Sequence, residues 1–409
     1  MFRFVTAGES HGPGLVAYIE GLPAGIPITE AYIRQDLARR QAGYGRGGRM
    51  QIETDYAVIQ TGVRHGQTMG GAPIAMLIEN RDHTTGNGPD GQPWTHTMSK
   101  EAVEGEVSPI HRLRPGHADT PGINKYQTDD ARDILERSSA RESTARVAAG
   151  AVCRAFLAKF GVAVHSHVLN IGGVQAHPPE VIDWDAVEAS EVRSADAQAT
   201  EAMKQAIDQA RQDGDSLGGL IEVVATGLPI GLGSHTQWDR KLSTKLAAAV
   251  GSVNAVKGVE FGAGFDLADL RGSKVHDVIK PIGEWGQATD GTWVQPWPRR
   301  TNNAGGLEGG MTTGEPLVVR AVVKPIATII NPLPSVDLIT GELEQAHYER
   351  SDITFVPTCG VIAEAMVLIT LAEAFLEKFG GDHIDETKRN HASYVASLGP
   401  KSAGAGAGG

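Results

Sequence analysis

Two stretches of this 409-residue chain share one text: Glu-Arg-Ser, then a long run of small and apolar residues, then Ala-Phe-Leu-x-Lys-Phe-Gly. The first runs from Glu136-Arg137-Ser138 to Phe160-Gly161, the second from Glu349-Arg350-Ser351 to Phe379-Gly380. Each reads as an arginine-bearing loop feeding a buried helix that stops at glycine. Two such units predict an internally duplicated fold with a cationic site repeated near its centre.

The remaining segments support helices held between sheets. Ser139-Ala140-Arg141-Glu142 fits a capping box, with Ser139 as N-cap and Glu142 three residues on. From Val147 to Phe156 the sequence is small or apolar nearly all round, and Thr358 to Lys378 repeats that design. Helices are also expected over Thr29 to Arg40 and Asp239 to Ser252, and a charged surface helix over Ala186 to Gln212. Strand candidates are Leu15 to Ile19, Ile74 to Ile78, Leu220 to Thr226 and Leu317 to Val323. Strand–helix alternation is too poor for a doubly wound sheet. The expected class is therefore α+β: a β-α-β sandwich with long central helices between antiparallel sheets and internal pseudo-twofold symmetry.

Punctuation by 51 glycines is spread along the whole chain, and no Pro/Ser/Gly linker divides it. Residues 1–398 read as one domain, and 399–409 as a low-complexity tail expected to be disordered. A formal net charge of −12 argues against a nucleic-acid partner, yet a cleft can focus positive potential within an acidic protein. Cys153 and Cys359 each fall in one of the apolar runs and read as buried thiols in a reducing compartment. The N-terminus lacks a signal-peptide pattern, and no membrane span is expected. These features point to the cytoplasm.

Chemistry concentrates in a few segments. His11 lies between glycines in Gly8-Glu9-Ser10-His11-Gly12, where backbone can approach a ligand closely. Arg39, Arg40, Arg46 and Arg49 crowd one helix end and its loop. Gly43, Gly45 and Gly48 there match G-x-G-x-x-G, but the motif follows a helix instead of a strand, which excludes the dinucleotide reading. Guanidiniums form forked hydrogen bonds to phosphate and carboxylate, so the loop suits an anion. Arg112-Leu113-Arg114-Pro115-Gly116-His117-Ala118-Asp119 forms a rigid turn in which Asp119 is placed to orient His117. It reads equally as a surface turn with a local ion pair. Arg137 and Arg141 flank a helix N-terminus, which favours an anion. Asp352 beside Arg350 is either an acid/base or a salt-bridge partner. Together the segments describe a pocket for a small, highly charged anion with proton-transfer groups nearby; elimination or isomerisation fits that inventory.

Gly8-Glu9-Ser10-His11-Gly12, Glu136 to Ser143 and Arg350-Ser351-Asp352 resemble the signatures of the chorismate synthase family. Arg114 to Asp119 and Gly305 to Gly310 are similar to further family segments, and the resemblance spans roughly Phe2 to Phe379. It implies anti-1,4-elimination of phosphate from 5-enolpyruvylshikimate 3-phosphate, giving chorismate. It also implies reduced FMN as cofactor without net redox change, and a homotetramer. By resemblance Arg40, Arg46, Arg49, Arg114 and Arg141 would neutralise the substrate. His11 would protonate the departing phosphate, His117 would stabilise the reduced flavin, and Asp352 would help return the abstracted proton. Flavin contacts would come from Ser138, Ser139, Ala140, Asn254, Ala255, Gly309, Lys324, Pro325, Ile326, Ala327, Thr328 and Arg350. NADPH enters as an upstream reductant. With no reductase domain visible in the sequence, an external flavin reductase is the expected partner.

Overall fold

The computed structural model describes residues 1–46, 54–86, 88, 91–101, 107–286, 295–349 and 351–400. Apolar residues that alternate along a strand bury one face of a sheet, and this pattern builds the first layer. It comprises β1 (Arg3–Gly8), β2 (Gly14–Glu20), β3 (Ala57–Ile59) and β4 (Ile74–Glu79), paired antiparallel in the order β1-β2-β4-β3. Leu15, Ala17 and Ile19 of β2 and Ile74, Met76 and Ile78 of β4 point inward. Helix α1 (Glu30–Gln41), capped by the Thr29 side chain, packs below them, together with α2 (Ser143–Leu157).

The second half repeats the plan. Strands β5 (Ala163–Ile171), β6 (Gly219–Thr226), β7 (Val256–Phe261) and β8 (Leu317–Val323) form an antiparallel sheet in the order β5-β6-β8-β7, with the short strand Val174–Gln175 added outside β5. Helix α3 (Leu242–Gly251) occupies the place of α1, and α4 (Val356–Phe379) that of α2. Chain order and sheet order therefore match unit for unit: β-β-α-β-β-α, twice. The four helices lie between the two sheets, as the expected sandwich requires, and one hydrophobic core runs through both sheets and the helical layer.

The duplicated text explains the centre. Its equivalent phenylalanines, Phe156 and Phe375, meet edge to face at 5.7 Å. Small residues let α2 and α4 approach closely: a Cβ at Gly150 would stand 2.5 Å from that of Ala365. By length and hydropathy one helix among the described residues, α4, would pass as a membrane span, contrary to the expectation that no segment does. Yet 89% of its most apolar stretch is buried inside the protein, as in a core helix.

One charge sits inside that core. Glu364 of α4 is fully buried and accepts bidentate hydrogen bonds from Arg39 of α1 (2.8 and 2.8 Å) and one from Arg154 of α2 (2.7 Å). Ser166 of β5 (2.6 Å) and Arg193 (3.3 Å) complete its shell, while Asp36 and Glu188 balance the remaining guanidinium charge. Burial opposes ionisation of Glu364, but the three arginines outweigh it and hold the carboxyl below its usual range.

Three expectations needed correction. Ala186 to Gln212 is not one surface helix: helices Trp184–Ala189 and Ala197–Asp213 are separated where Asp196 caps the second and Arg193 turns inward to Glu188 and Glu364. Ser139 caps Arg141 of a short 3₁₀ turn, but Glu142 does not close the capping box. Its carboxylate instead accepts from Thr6 (2.6 Å) and Arg146 (2.9 Å). β5 and β7 were not foreseen, because histidines interrupt one and lysine, glycine and glutamate the other. The tail residues 401–409 lie outside the described residues.

Candidate active site

The two copies of Glu-Arg-Ser do not make two sites. Both loops open onto one cavity of about 520 Å³ between the halves, where Ser138 to Arg141 face Glu349, Ser351 and Asp352. Arg132 joins the equivalent glutamates directly, with Nη1 3.4 Å from Glu136 Oε1 and 3.0 Å from Glu349 Oε1. Burial alone would raise Glu349, but His347, Arg132 and other neighbouring cations outweigh it and hold its carboxyl at about 2.

Four of the expected arginines line the cavity: Arg40, Arg46, Arg114 and Arg141. Arg49 lies outside the described residues. Arg40 and Arg141 share the buried carboxylate of Asp55, with Arg40 at 3.2 Å and Arg141 in a direct ion pair. Burial pulls Arg40 down to about 10, which leaves it cationic at neutral pH. The Nε of Arg141 donates to Asn80 Oδ1 (2.9 Å), and the Asn80 amide donates to the carbonyls of Glu9 (2.9 Å) and Gly12 (2.8 Å). The His11 loop and the arginine are thus held by one side chain. Arg137, by contrast, turns outward and donates to the Gly8 carbonyl.

Arg46, at the end of the turn after α1, pairs with Asp352 at 2.8 Å and donates to Thr358 (2.6 Å). Arg350, the other partner considered for Asp352, lies outside the described residues. His117 lines the cavity, and its Nδ1 stands 2.6 Å from Asp119 Oδ1. Burial opposes the Asp119 charge, yet bonds from His117 and Arg114 keep it ionised. An ionised carboxylate only accepts, so Nδ1 carries the proton. The 3.0 Å approach of Arg114 Nη2 to Nδ1 is then a contact between donors rather than a hydrogen bond. His117 is left with Nε2 as its second ring nitrogen.

His11 is not a lining residue. It lies beside the wall, next to Ser10, whose hydroxyl donates to the lining Ser139 (3.0 Å). Glu136 accepts from both its backbone N–H (2.7 Å) and its Nδ1 (2.9 Å), and Trp94 stacks on the ring at 3.9 Å.

Part of the lining suits a flat aromatic group. Ser138, Ser139, Ala140, Asn254, Ala255 and the run Lys324-Pro325-Ile326-Ala327-Thr328 all line it. Ala255 holds φ at 72°, strained for a residue with a Cβ, and its carbonyl accepts from Lys324 N–H (2.9 Å). The Asn254 amide donates to the Ser138 carbonyl (2.8 Å), which fixes one half of the chain to the other. At Gly116 the open space has Lys324 Nζ and Ala327 as its nearest boundaries, 3.6 and 3.8 Å from a Cβ position. Burial and the nearby Lys257 lower Lys324 below its ordinary value. Small side chains, exposed backbone and two ammonium groups fit a planar, anionic cofactor. Gly309 departs from the expectation: it turns the hairpin between Leu307–Glu308 and Met311–Thr312 and does not line the cavity.

Sequence reading missed Asp55, Asn80, Trp94, Arg132 and Lys257 altogether. Glu136 and Glu349 stood in the repeated text itself, and their shared position was the available signal.

Fold and site together define a class: a duplicated α+β sandwich whose halves converge on an arginine-lined pocket for a small polyanion. The sequence model of the chorismate synthase family matches residues 2–376. Chorismate synthase of Geobacter sulfurreducens is 51% identical over 97% of this chain and 98% of its own length. That of Streptomyces coelicolor is 49% identical over 97% and 98%. A solved crystal structure of chorismate synthase superposes with a TM-score of 0.73 at 38% identity, covering 96% of this chain and 97% of that one. The chain belongs to the chorismate synthase family, carbon–oxygen lyases of the shikimate pathway.

Proposed function

We propose that this chain converts 5-enolpyruvylshikimate 3-phosphate to chorismate by anti-1,4-elimination, with reduced FMN bound and no net redox change. The observation that carries this reading is the convergence of Arg40, Arg46, Arg114 and Arg141 on one cavity that also holds His117 and Asp352. The substrate bears a phosphate and two carboxylates, and guanidiniums fixed by Asp55, Asn80 and Asp119 are preorganised to receive them.

Ser138 to Ala140, Asn254, Ala255 and Lys324 to Thr328 would hold the flavin. Bound there, reduced FMN would supply electron density for the elimination. His117, anchored through Nδ1 on Asp119, would meet the flavin with its other ring nitrogen. His11 gives a proton to a phosphate oxygen while the C–O bond breaks and its electron pair leaves with the phosphate. Substrate anions that recruit Arg46 would loosen its ion pair with Asp352, freeing that carboxylate to pass the proton lost from the ring on to solvent, while the C–H electron pair forms the new double bond. Arg49 and Arg350 belong to the same reading.

The chain further reads as a single domain, supported by its continuous core, and as a cytoplasmic homotetramer without nucleic-acid or membrane partners. NADPH would act upstream through an external flavin reductase. Anaerobic incubation with chemically reduced FMN and substrate should release phosphate, and NADPH with oxidised FMN should not. No release in the first arm refutes the activity; release in the second shows that the chain reduces its own flavin.

A further inference from the structure

The carboxylate of Glu136 is used in a way that the proposed reaction does not yet account for. It is only 3% exposed, and its two oxygens grasp two groups of one residue: Oε2 accepts from the His11 backbone N–H at 2.7 Å, and Oε1 faces the His11 Nδ1 at 2.9 Å. The Glu136 carbonyl also accepts from Ser10 N–H at 3.0 Å. Trp94 covers one ring face at 3.9 Å and 18°, and Arg132, which reaches Glu136 Oε1, sits over the Trp94 ring at 5.1 Å. Backbone, ring nitrogen and ring face are therefore all held.

We infer that Glu136 is a positioning residue that fixes His11 with its proton on Nδ1, so that Nε2 is the ring atom exchanging a proton with the substrate. This deepens the reading of His11 as the proton donor and rests on it. Donor and acceptor types fix the tautomer. Burial opposes the Glu136 charge, but the hydrogen bond and charge of His11 and the nearby Arg132 outweigh it and lower its carboxyl. An ionised carboxylate can only accept, so the nitrogen facing it must be N–H whether the ring is neutral or protonated. His117 is held by Asp119 in the same manner, so both rings carry the proton on Nδ1. A neutral amide at position 136 can accept or donate and no longer specifies the tautomer. The bland alternative is that Glu136 merely ties the loop to the helix Arg132–Ser138 through the backbone N–H.

Nitrogen-15 NMR of histidine-labelled wild-type protein separates the two, with His11→Ala identifying the signal. The expected spectrum shows Nδ1–H for neutral His11, and Glu136→Gln converts it to a tautomer mixture. In that variant kcat should fall about ten-fold or more, with substrate KM and flavin affinity changed by less than about two-fold. Glu136→Asp should recover part of the loss. A wild-type ring protonated on Nε2 alone would overturn the inference, as would wild-type kcat in Glu136→Gln. Loss of kcat, KM and flavin binding in parallel would leave only the structural anchor. Because the wild-type spectrum needs no turnover, an inactive enzyme would count against the proposed reaction and not against this assignment.

Discussion

Arg46 is held differently from the two arginines beside it. Its neighbours Arg40 and Arg141 are locked on Asp55, whereas Arg46 binds Asp352, itself a lining group, and the Thr358 hydroxyl. Arg46→Ala should therefore raise the substrate Kd by about ten-fold or more while leaving flavin affinity within about two-fold, since truncating one partner of a buried charge pair costs on the order of 2 kcal/mol. Equal loss of both ligands in a binding titration would make the turn merely structural. His11→Ala and His117→Ala should each retain flavin but lose about one to three orders of magnitude in turnover. Wild-type rates in either variant would remove that histidine from proton transfer. At this scale the sequence disclosed Arg40, Arg46, Arg114, His117 and Arg141 of the cavity lining, because guanidiniums and histidines cluster in short glycine-bearing loops. It hid the residues that hold them. Asp55, Asn80 and Trp94 come from distant stretches with no motif of their own, and only the fold brings Asn80 to both the His11 loop and Arg141.

Among the elements, α2 and α4 were readable because a helix apolar on all sides must be buried, and the structure places them back to back at Phe156 and Phe375. β5 was not readable, since His165, Ser166, His167 and Asn170 break its alternation. Ser166 is nevertheless inward, where it donates to Glu364. That glutamate ties α1, α2, α4 and β5 together. Glu364→Gln leaves three guanidiniums under-neutralised, so it should destabilise the protein by about 3 kcal/mol or more, read as a lower midpoint in urea. The same network sets an acid limit. Glu188 would be raised by burial, but Arg193 and Arg39 hold it at about 2, against 4.5 when unperturbed. A carboxyl depressed in the folded state stabilises fully above its unfolded value and loses that contribution as pH falls through the folded one. Melting temperature should thus be level above about pH 5 and fall between about pH 4.5 and 2. A flat profile across that window would contradict the network's role.

The whole molecule turns on its duplication. The repeated text foretold two cationic sites, but the two β-β-α-β-β-α halves face each other, so both loops open onto a single cavity and Arg132 bridges the paired glutamates. That convergence was invisible in the sequence because it depends on how the halves pack. The acidic net charge of −12 and a pocket of arginines are compatible, because the surrounding charge is spread while the guanidiniums are focused. The central claim is that these side chains grip a polyanion lying against a reduced flavin. Its most direct measurement is a crystal structure of the protein with 5-enolpyruvylshikimate 3-phosphate and FMN. The account predicts the phosphate and carboxylates within hydrogen-bond reach of Arg40, Arg46, Arg114 and Arg141, and the flavin against Ala255 and Lys324 to Thr328. Ligands bound elsewhere, with those guanidiniums still engaged only by protein carboxylates, would contradict it.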